Sequence, residues 1–186
     1  SGLVRLSTTL GPAVGEDAAL IDMGGCVLAV HSDPITEATY RVGALAIDVA
    51  SNDVATRGAR PSWAILDVIM PAGSRLSSLS AIIEDAAREA ERLGIEIVGG
   101  HTEAAPDLAK PIVIATVFGC ACRGCAVRTG GARAGDLILQ VGPAGLEATI
   151  IAAVDFKEEA LSRGVPQDVL SEALKLFDRL SVANYA

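Results

Sequence analysis

Residues 62–98, SWAILDVIMPAGSRLSSLSAIIEDAAREAERLGIEIV, decide the fold. Ser62–Met70 is a largely apolar run closed by Pro71-Ala72-Gly73, and it reads as a strand. The period then changes. Leu79, Ile82, Ile83, Ala86, Ala87, Ala90 and Leu93 recur three and four apart, which makes them one apolar stripe of a helix over Leu76–Leu93. Glu84, Asp85, Arg88, Glu89, Glu91 and Arg92 cover the other side, and Gly94 ends the helix. Ile95–Val98 reads as the next strand.

Working outward, Ala19–Met23 and Cys26–His31 have high strand propensity and are separated by Gly24-Gly25, the pattern of a hairpin. Over Tyr40–Arg57, the residues Val42, Leu45, Ala46, Val49 and Asp53 share one helical face, with Gly58 as the stop and Pro61 just beyond. Ile112–Phe118 adds a strand. The order β-β-α-β-α-β-β is that of a mixed α/β layer with helices on one face. Around Gly124–Gly135 the composition shifts to Gly, Arg and Ala, marking a domain boundary or a long exposed turn. Leu137–Val141 then reads as a strand, and Glu147–Phe156 and Val169–Leu180 as helices. One strand and two helices do not readily enclose a core. The expectation is a first domain over 1–125 and part of a second over 126–186.

The 186 residues are 51% hydrophobic but only 3% aromatic, and the formal net charge is −8. Such a core rests on aliphatic packing between layers. An acidic chain repels phosphate backbones, so neither nucleic acid nor an anionic membrane is expected as a partner. No run approaches the roughly 20 apolar residues of a membrane span, and no basic segment leads into a hydrophobic one at the start. Three of the four cysteines crowd at Cys120, Cys122 and Cys125. They do not resemble a disulfide framework, and a reduced, cytoplasmic protein is expected. Thiolate binding of zinc or an iron–sulfur cluster needs a fourth ligand, and Cys26 is distant in sequence. A strand-end thiol and two thiols in a turn are the expectation.

Four acidic motifs fall at expected element ends. Gly11-Pro-Ala-Val-Gly15-Glu16-Asp17-Ala18 is a glycine-punctuated loop, either a cradle for an anionic ligand or an ordinary surface turn. His31-Ser32-Asp33-Pro34 puts an acid past a strand end, where α/β proteins often place ligands, or else caps a turn. Asp53 continues an apolar helical stripe, and a buried carboxylate is costly without a hydrogen-bonded partner or a cation. Arg57, one turn away, is a candidate partner. Val98-Gly99-Gly100-His101-Thr102-Glu103 follows an apolar strand and offers close backbone approach with polar contacts. With two histidines in the chain, oxygen ligands are favoured over a histidine site. Oxygen ligands suit Mg²⁺ on nucleotide phosphates.

Together GEDAAL (15–20), HSDPIT (31–36), VASNDVATRGARPSW (49–63) and GIEIVGGHTEA (94–104) resemble the N-terminal half of aminoimidazole-ribonucleotide (AIR) synthase superfamily proteins. GARAGDLILQVGPAGLEATIIAA (131–153) resembles the opening of their second domain. The resemblance implies a mixed four-stranded sheet that pairs with a second copy across a two-fold axis. ATP would lie in clefts beside that interface. Asp17, Asp33 and Asp53 would hold Mg²⁺ on its phosphates, with Glu103 as a further ligand. Gly11, Gly15 and Glu16 of the first loop, and Gly99, Gly100, His101 and Thr102 of the later turn, would line the nucleotide. Asn52 would support the neighbouring acid.

Within the superfamily, SDPITEAT departs from the DGVGTK-like strand end of AIR synthase, and no early reactive cysteine matches selenophosphate synthetase. The GGHTE turn departs from the GGD-type turn of thiamine-monophosphate kinase. The hydrogenase-maturation dehydratases and AIR-synthase-related proteins remain. Those dehydratases use ATP to activate a carboxamide on their own C-terminal cysteine. The sequence given stops at Ala186 without such a tail, so it is expected to be part of a longer protein. The implied chemistry is ATP-dependent activation of an amide or carboxamide oxygen. The alternatives are a small-molecule kinase and a non-catalytic nucleotide-binding or assembly module. An apolar sheet face opposite the helices implies a two-fold dimer, interrupted by an aspartate at Ile65 or Val68, whichever points outward.

Overall fold

In the computed structural model, which describes residues 8–11 and 13–183, the opening stretch folds as β4 (Arg60–Pro71), α2 (Leu76–Leu93) and β5 (Glu96–Ala105). Residues 1–7 of the expected first domain, Pro12 of the first loop and residues 184–186 lie outside this description. The other strands are β1 (Thr8–Leu10), β2 (Ala19–Asp22), β3 (Val27–Ile35) and β6 (Ile112–Ala121). They form one sheet in the order β1-β2-β3-β6-β4-β5, with β4 and β5 parallel and every other pair antiparallel. The mixed α/β layer is as expected. It has six strands: the five of the expected order and the three-residue β1, which with β2 extends one edge beyond the four-stranded sheet the resemblance implies.

Two motifs expected past strand ends lie inside strands. β6 pairs with β3 from Val27 to Ile35, and β4 pairs with β5 through Glu103 to Ala105. A neighbouring strand that satisfies backbone groups outweighs turn-like local composition. Pro34 is tolerated because β2 pairs only as far as Val30, leaving the rest of β3 as an edge.

Ala64, Leu66, Val68, Met70, Val113, Ala115 and Val117 are buried on one sheet face, against which the helix α1 (Val42–Ala55) packs. The alternate residues Ile65, Ile69, Ile114 and Phe118 are half-buried and Trp63 is exposed, on a face where no helix is found among the described residues. Val68 therefore points inward and Ile65 outward. Eleven of the fourteen residues of α1 are buried, so this helix is enclosed rather than amphipathic. The sheet takes one side of it and α2 the other.

Gly43 marks the α1–α2 crossing: a Cβ there would lie 2.1 Å from the Ile82 carbonyl oxygen. Gly43→Ala must force the helices apart, and overpacking of this kind costs about 1–3 kcal/mol. Urea unfolding should show that loss. An unchanged midpoint would mean that the helices separate freely at this point.

Polar side chains also join these helices. Arg41 Nε and Nη2 reach Asp85 and Glu89, each at 3.2 Å. Arg92 Nε donates to Glu89 at 2.6 Å, and its Nη2 lies 3.3 Å from Asp48. Asp85 also accepts the Ala44 N–H at 3.1 Å, satisfying one of the free amides at the start of α1. Asp48 is 0% exposed, and its Oδ2 has no hydrogen-bond partner.

After β6, Cys122 and Cys125 are joined by a disulfide, contrary to the reduced pair expected. The turn that donates Cys125 N–H to the Cys122 carbonyl brings their Cα atoms to 5.2 Å. Leu137–Val141 is not a strand. Leu137, Ile138 and Leu139 are 89, 97 and 86% exposed. An extended segment needs a neighbour for its backbone groups, and none pairs with it among the described residues. Helices α3 (Leu146–Val154), α4 (Lys157–Ser162) and α5 (Gln167–Leu174) follow. The helix expected over Val169–Leu180 ends at Leu174, and a single 3-10 turn spans Phe177–Arg179. Leu146, Ile150, Phe177 and Leu180 pack into the main core beside α1.

Candidate functional site

His31 and Asp33 are two apart on β3, so both side chains take the sheet face beneath α1. Asp53 comes down from the last turns of α1. One ligand atom from each of the three falls within 4.8 Å of the others. His31 Nε2 lies 3.0 Å from Asp53 Oδ2, and its Nδ1 lies 2.5 Å from the Asp17 carbonyl oxygen. A carbonyl only accepts, so Nδ1 carries a proton and Nε2 faces the carboxylate. The Asp53 contact raises the His31 pKa. Burial opposes this, while the Asp17 carbonyl and the charges of Asp53 and Asp33 reinforce it.

Glu147, in the first turn of α3, lies near enough to Asp33 to feel its charge. Its pKa is raised, first by burial and then by the charge of Asp33. His31 stood beside the expected acids in HSDP without a role of its own. Glu147 reads in sequence as an ordinary first-turn acid, and only the fold-back of α3 places it near Asp33.

The other expected residues separate into three groups. The first is the loop before β2, where Arg57 is 2% exposed. Its Nη1 lies 2.8 Å from Glu16, and its Nη2 lies 3.3 Å from Asp17. Asp53 is therefore paired with His31 and not with Arg57. Asp17 reaches the His31–Asp53 group through its backbone carbonyl, while its carboxylate sits on Arg57. Glu16 also accepts the N–H groups of Thr129 at 3.1 Å and Gly130 at 3.4 Å. Burial works to raise the Glu16 pKa, but those two amides and Arg57 outweigh it and the net shift is downward. Gly11 and Gly15 border open space on this loop.

The second group is Asn52, whose amide is taken up by the C-terminal segment. It donates to the Leu180 carbonyl at 3.0 Å and accepts from Val182 N–H at 2.7 Å. The third is β5, where Gly99, Gly100, His101, Thr102 and Glu103 pair with Ile65–Ile69 of β4. Asp33 and Gly100 share a register row, but β6 and β4 lie between them. Three strand spacings put them roughly 14 Å apart. A Cβ on Gly100 would lie 1.9 Å from the Leu66 carbonyl oxygen, so this glycine serves strand packing. His101 Nε2 meets Glu103 Oε2 at 3.4 Å. Within one chain, these five residues are not brought to Asp33 and Asp53.

The donor set suits a hard divalent cation. Two carboxylates from separate elements converge beside His31, whose Nε2 lies 3.0 Å from Asp53.

Comparison with known proteins adds three likenesses. The carbamoyl dehydratase HypE of Rhodobacter capsulatus is 35% identical over 115 residues, which is 60% of this chain and 34% of that protein. A crystal structure of hydrogenase maturation protein HypE in complex with ATP is 29% identical with a TM-score of 0.55, covering 64% of this chain and 37% of that one. A ThiL complexed with AMPPCP and TMP has a TM-score of 0.76 over 94% of this chain and 56% of that one, at 21% identity, a likeness of fold. The chain thus spans about a third of the length of the curated dehydratase it matches. The family model for the N-terminal domain of AIR synthase related proteins matches residues 15–121, more than half of the chain, and the chain belongs to that family.

Proposed function

We propose that this chain binds ATP together with Mg²⁺, and that Asp33 and Asp53 hold the cation. The observation that carries the reading is the meeting of His31, Asp33 and Asp53 within 4.8 Å, with the Glu147 pKa raised nearby. Excess negative charge gathered at one point is stabilised by a cation. Mg²⁺ bound there would neutralise charge on the nucleotide phosphates. His31 fixes Asp53 from one side, and the Asp17 carbonyl fixes the ring from the other. Arg57 and the amides of Thr129 and Gly130 hold Glu16, and so set the shape of the glycine loop.

His101 and Glu103 share the sheet face that α1 leaves uncovered, and Trp63 and Ile65 make that face apolar. A second copy packed there would bring its own β5 to the assembly. The working unit is then a two-fold dimer, and residues 126–186 are the opening of a second domain. The reaction of the whole protein is ATP-dependent activation of an amide or carboxamide oxygen, a reading supported by the likeness to carbamoyl dehydratases. Production of ADP together with a phosphorylated small molecule would instead mark a kinase.

Titration calorimetry tests the binding step. ATP should bind with Mg²⁺ and fail to bind in EDTA. Asp53→Asn should weaken it about tenfold or more, the loss of one charge-assisted contact, while circular dichroism stays unchanged. Equal affinity in EDTA, or in Asp53→Asn, would overturn the assignment.

A further inference from the structure

All four cysteines of the chain gather at one end of the sheet. Cys26 immediately precedes β3, and Cys120 is the penultimate residue of β6. These strands are antiparallel neighbours, with Val27 opposite Ala121 and Leu28 opposite Cys120. The two Sγ atoms lie 3.0 Å apart although 94 positions separate them in sequence. A disulfide bond is about 2.05 Å long, so closure asks for a shift of about 1 Å. Both thiols are partly exposed, and Cys120 alternates with the buried Gly119 and Ala121, which places it on the uncovered sheet face. Cys122 and Cys125 are already joined, so Cys26 and Cys120 are the two free thiols.

We propose that Cys26 and Cys120 are a redox-active dithiol that closes into a cross-strand disulfide when it meets a small-molecule disulfide. The Cys26 thiolate attacks one sulfur of the oxidant, forming a mixed disulfide and releasing one thiolate, which takes up a proton. Cys120 then loses its proton to water and attacks Cys26 Sγ. This forms the Cys26–Cys120 bond and releases the second thiol. Two protein thiols are oxidised, and one small disulfide is reduced to two thiols. The hydrogen bond to Cys26, and then burial, raise the Cys120 pKa. Cys120 is accordingly the resolving sulfur, and closure runs faster as pH rises.

The full chain, equilibrated in mixtures of reduced and oxidised glutathione, alkylated and weighed intact, tests this. In oxidising mixtures Cys26 and Cys120 should both escape alkylation, and peptide mapping should recover them as one linked pair. Cys26→Ser should leave Cys120 alkylatable or carrying one glutathione, and Cys120→Ser should do the same to Cys26. The linked form should melt higher by on the order of 10 °C, as a staple across a loop of about 95 residues. Three results would overturn the proposal: free thiols at every ratio, linkage of either residue to Cys122, Cys125 or another chain, or a linked form that melts no higher.

Discussion

Ile65→Asp should abolish self-association: light scattering at tens of micromolar should find monomer or aggregate where the unmodified chain should give the proposed dimer. Ile65 lies on the uncovered face opposite Thr116, with Trp63, Asp67 and Ile69 on its own strand and Ile114 and Phe118 on the next, so the apolar side chains there flank the native carboxylate of Asp67. Contiguous apolar patches beyond a few hundred Å² are rare on monomers. A stable interface buries about 800 Å² per partner. A further carboxylate there loses its hydration without gaining a counter-charge, and the penalty of several kcal/mol is met by both copies. ATP binding should fall with it if β5 of the second copy completes the site. Val68→Asp is a different test, because Val68 is 1% exposed and packs toward the helices, so that variant should unfold. An unmodified chain that is well folded and monomeric at the same concentration would refute the dimer.

Asp48→Asn should stabilise the chain at pH 8 relative to pH 5 by about 4 kcal/mol compared with the parent. Burial, followed by the charge of Glu89, pushes the Asp48 carboxyl up to about 8, and Arg92 and Arg41 only partly offset this. The charge balance gives the reason. Asp48, Asp85 and Glu89 face Arg41 and Arg92, while Arg88 and Asp178 add one contact of each sign at the rim. Three acids on two guanidiniums leave one proton in place, and the fully enclosed Asp48 keeps it.

The sign follows from proton binding. Between about pH 4 and about pH 8 the unfolded chain has released the Asp48 proton and the folded chain has not. Stability from this group is complete below pH 4 and is lost as pH rises to 8. Asparagine has no proton to lose and leaves two acids on two arginines. Urea unfolding at both pH values measures the difference. Parallel pH profiles for the two proteins would show that Asp48 is ionised in the folded state.

Much of the fold could be read from periodicity. The extent of α2, the hairpin and the apolar strands are local signals, and each appears where its spacing puts it. The facing of α2 differs from the expected stripe: Ile83 and Ala87 are exposed, while Asp85 and Glu89 of the expected outer side are buried, because Arg41 at the start of α1 and Arg92 of α2 itself draw them inward. What escaped depends on distant partners. The strand character of Ser32–Ile35 and Gly99–Ala105 comes from β6 and β4, which no local window contains. Leu137–Val141 has strand composition but no strand beside it. Asp53 was recognisable as an acid needing a partner, and the nearby Arg57 was the obvious choice. The partner is His31, because β3 runs beneath α1. Asp48, the most enclosed acid, was hidden in a helix whose polar face meets the polar face of another.

The position of β6 has a consequence for how the chain is made. Among the described residues it is the last strand in sequence, yet it lies between β3 and β4 and pairs with both along its length. Until residue 121 has left the ribosome, the nascent chain holds two sheet fragments, β1-β2-β3 and β4-β5, whose facing edges have no neighbour. Each is an open template for strand addition from another chain. The edges close only when a distant strand is inserted, a step slowed by the entropy of bringing β3 to residues some 90 positions later. The strand order thus makes the insertion of β6 the step at which exposure of these two edges ends, and slowing that step should favour aggregation.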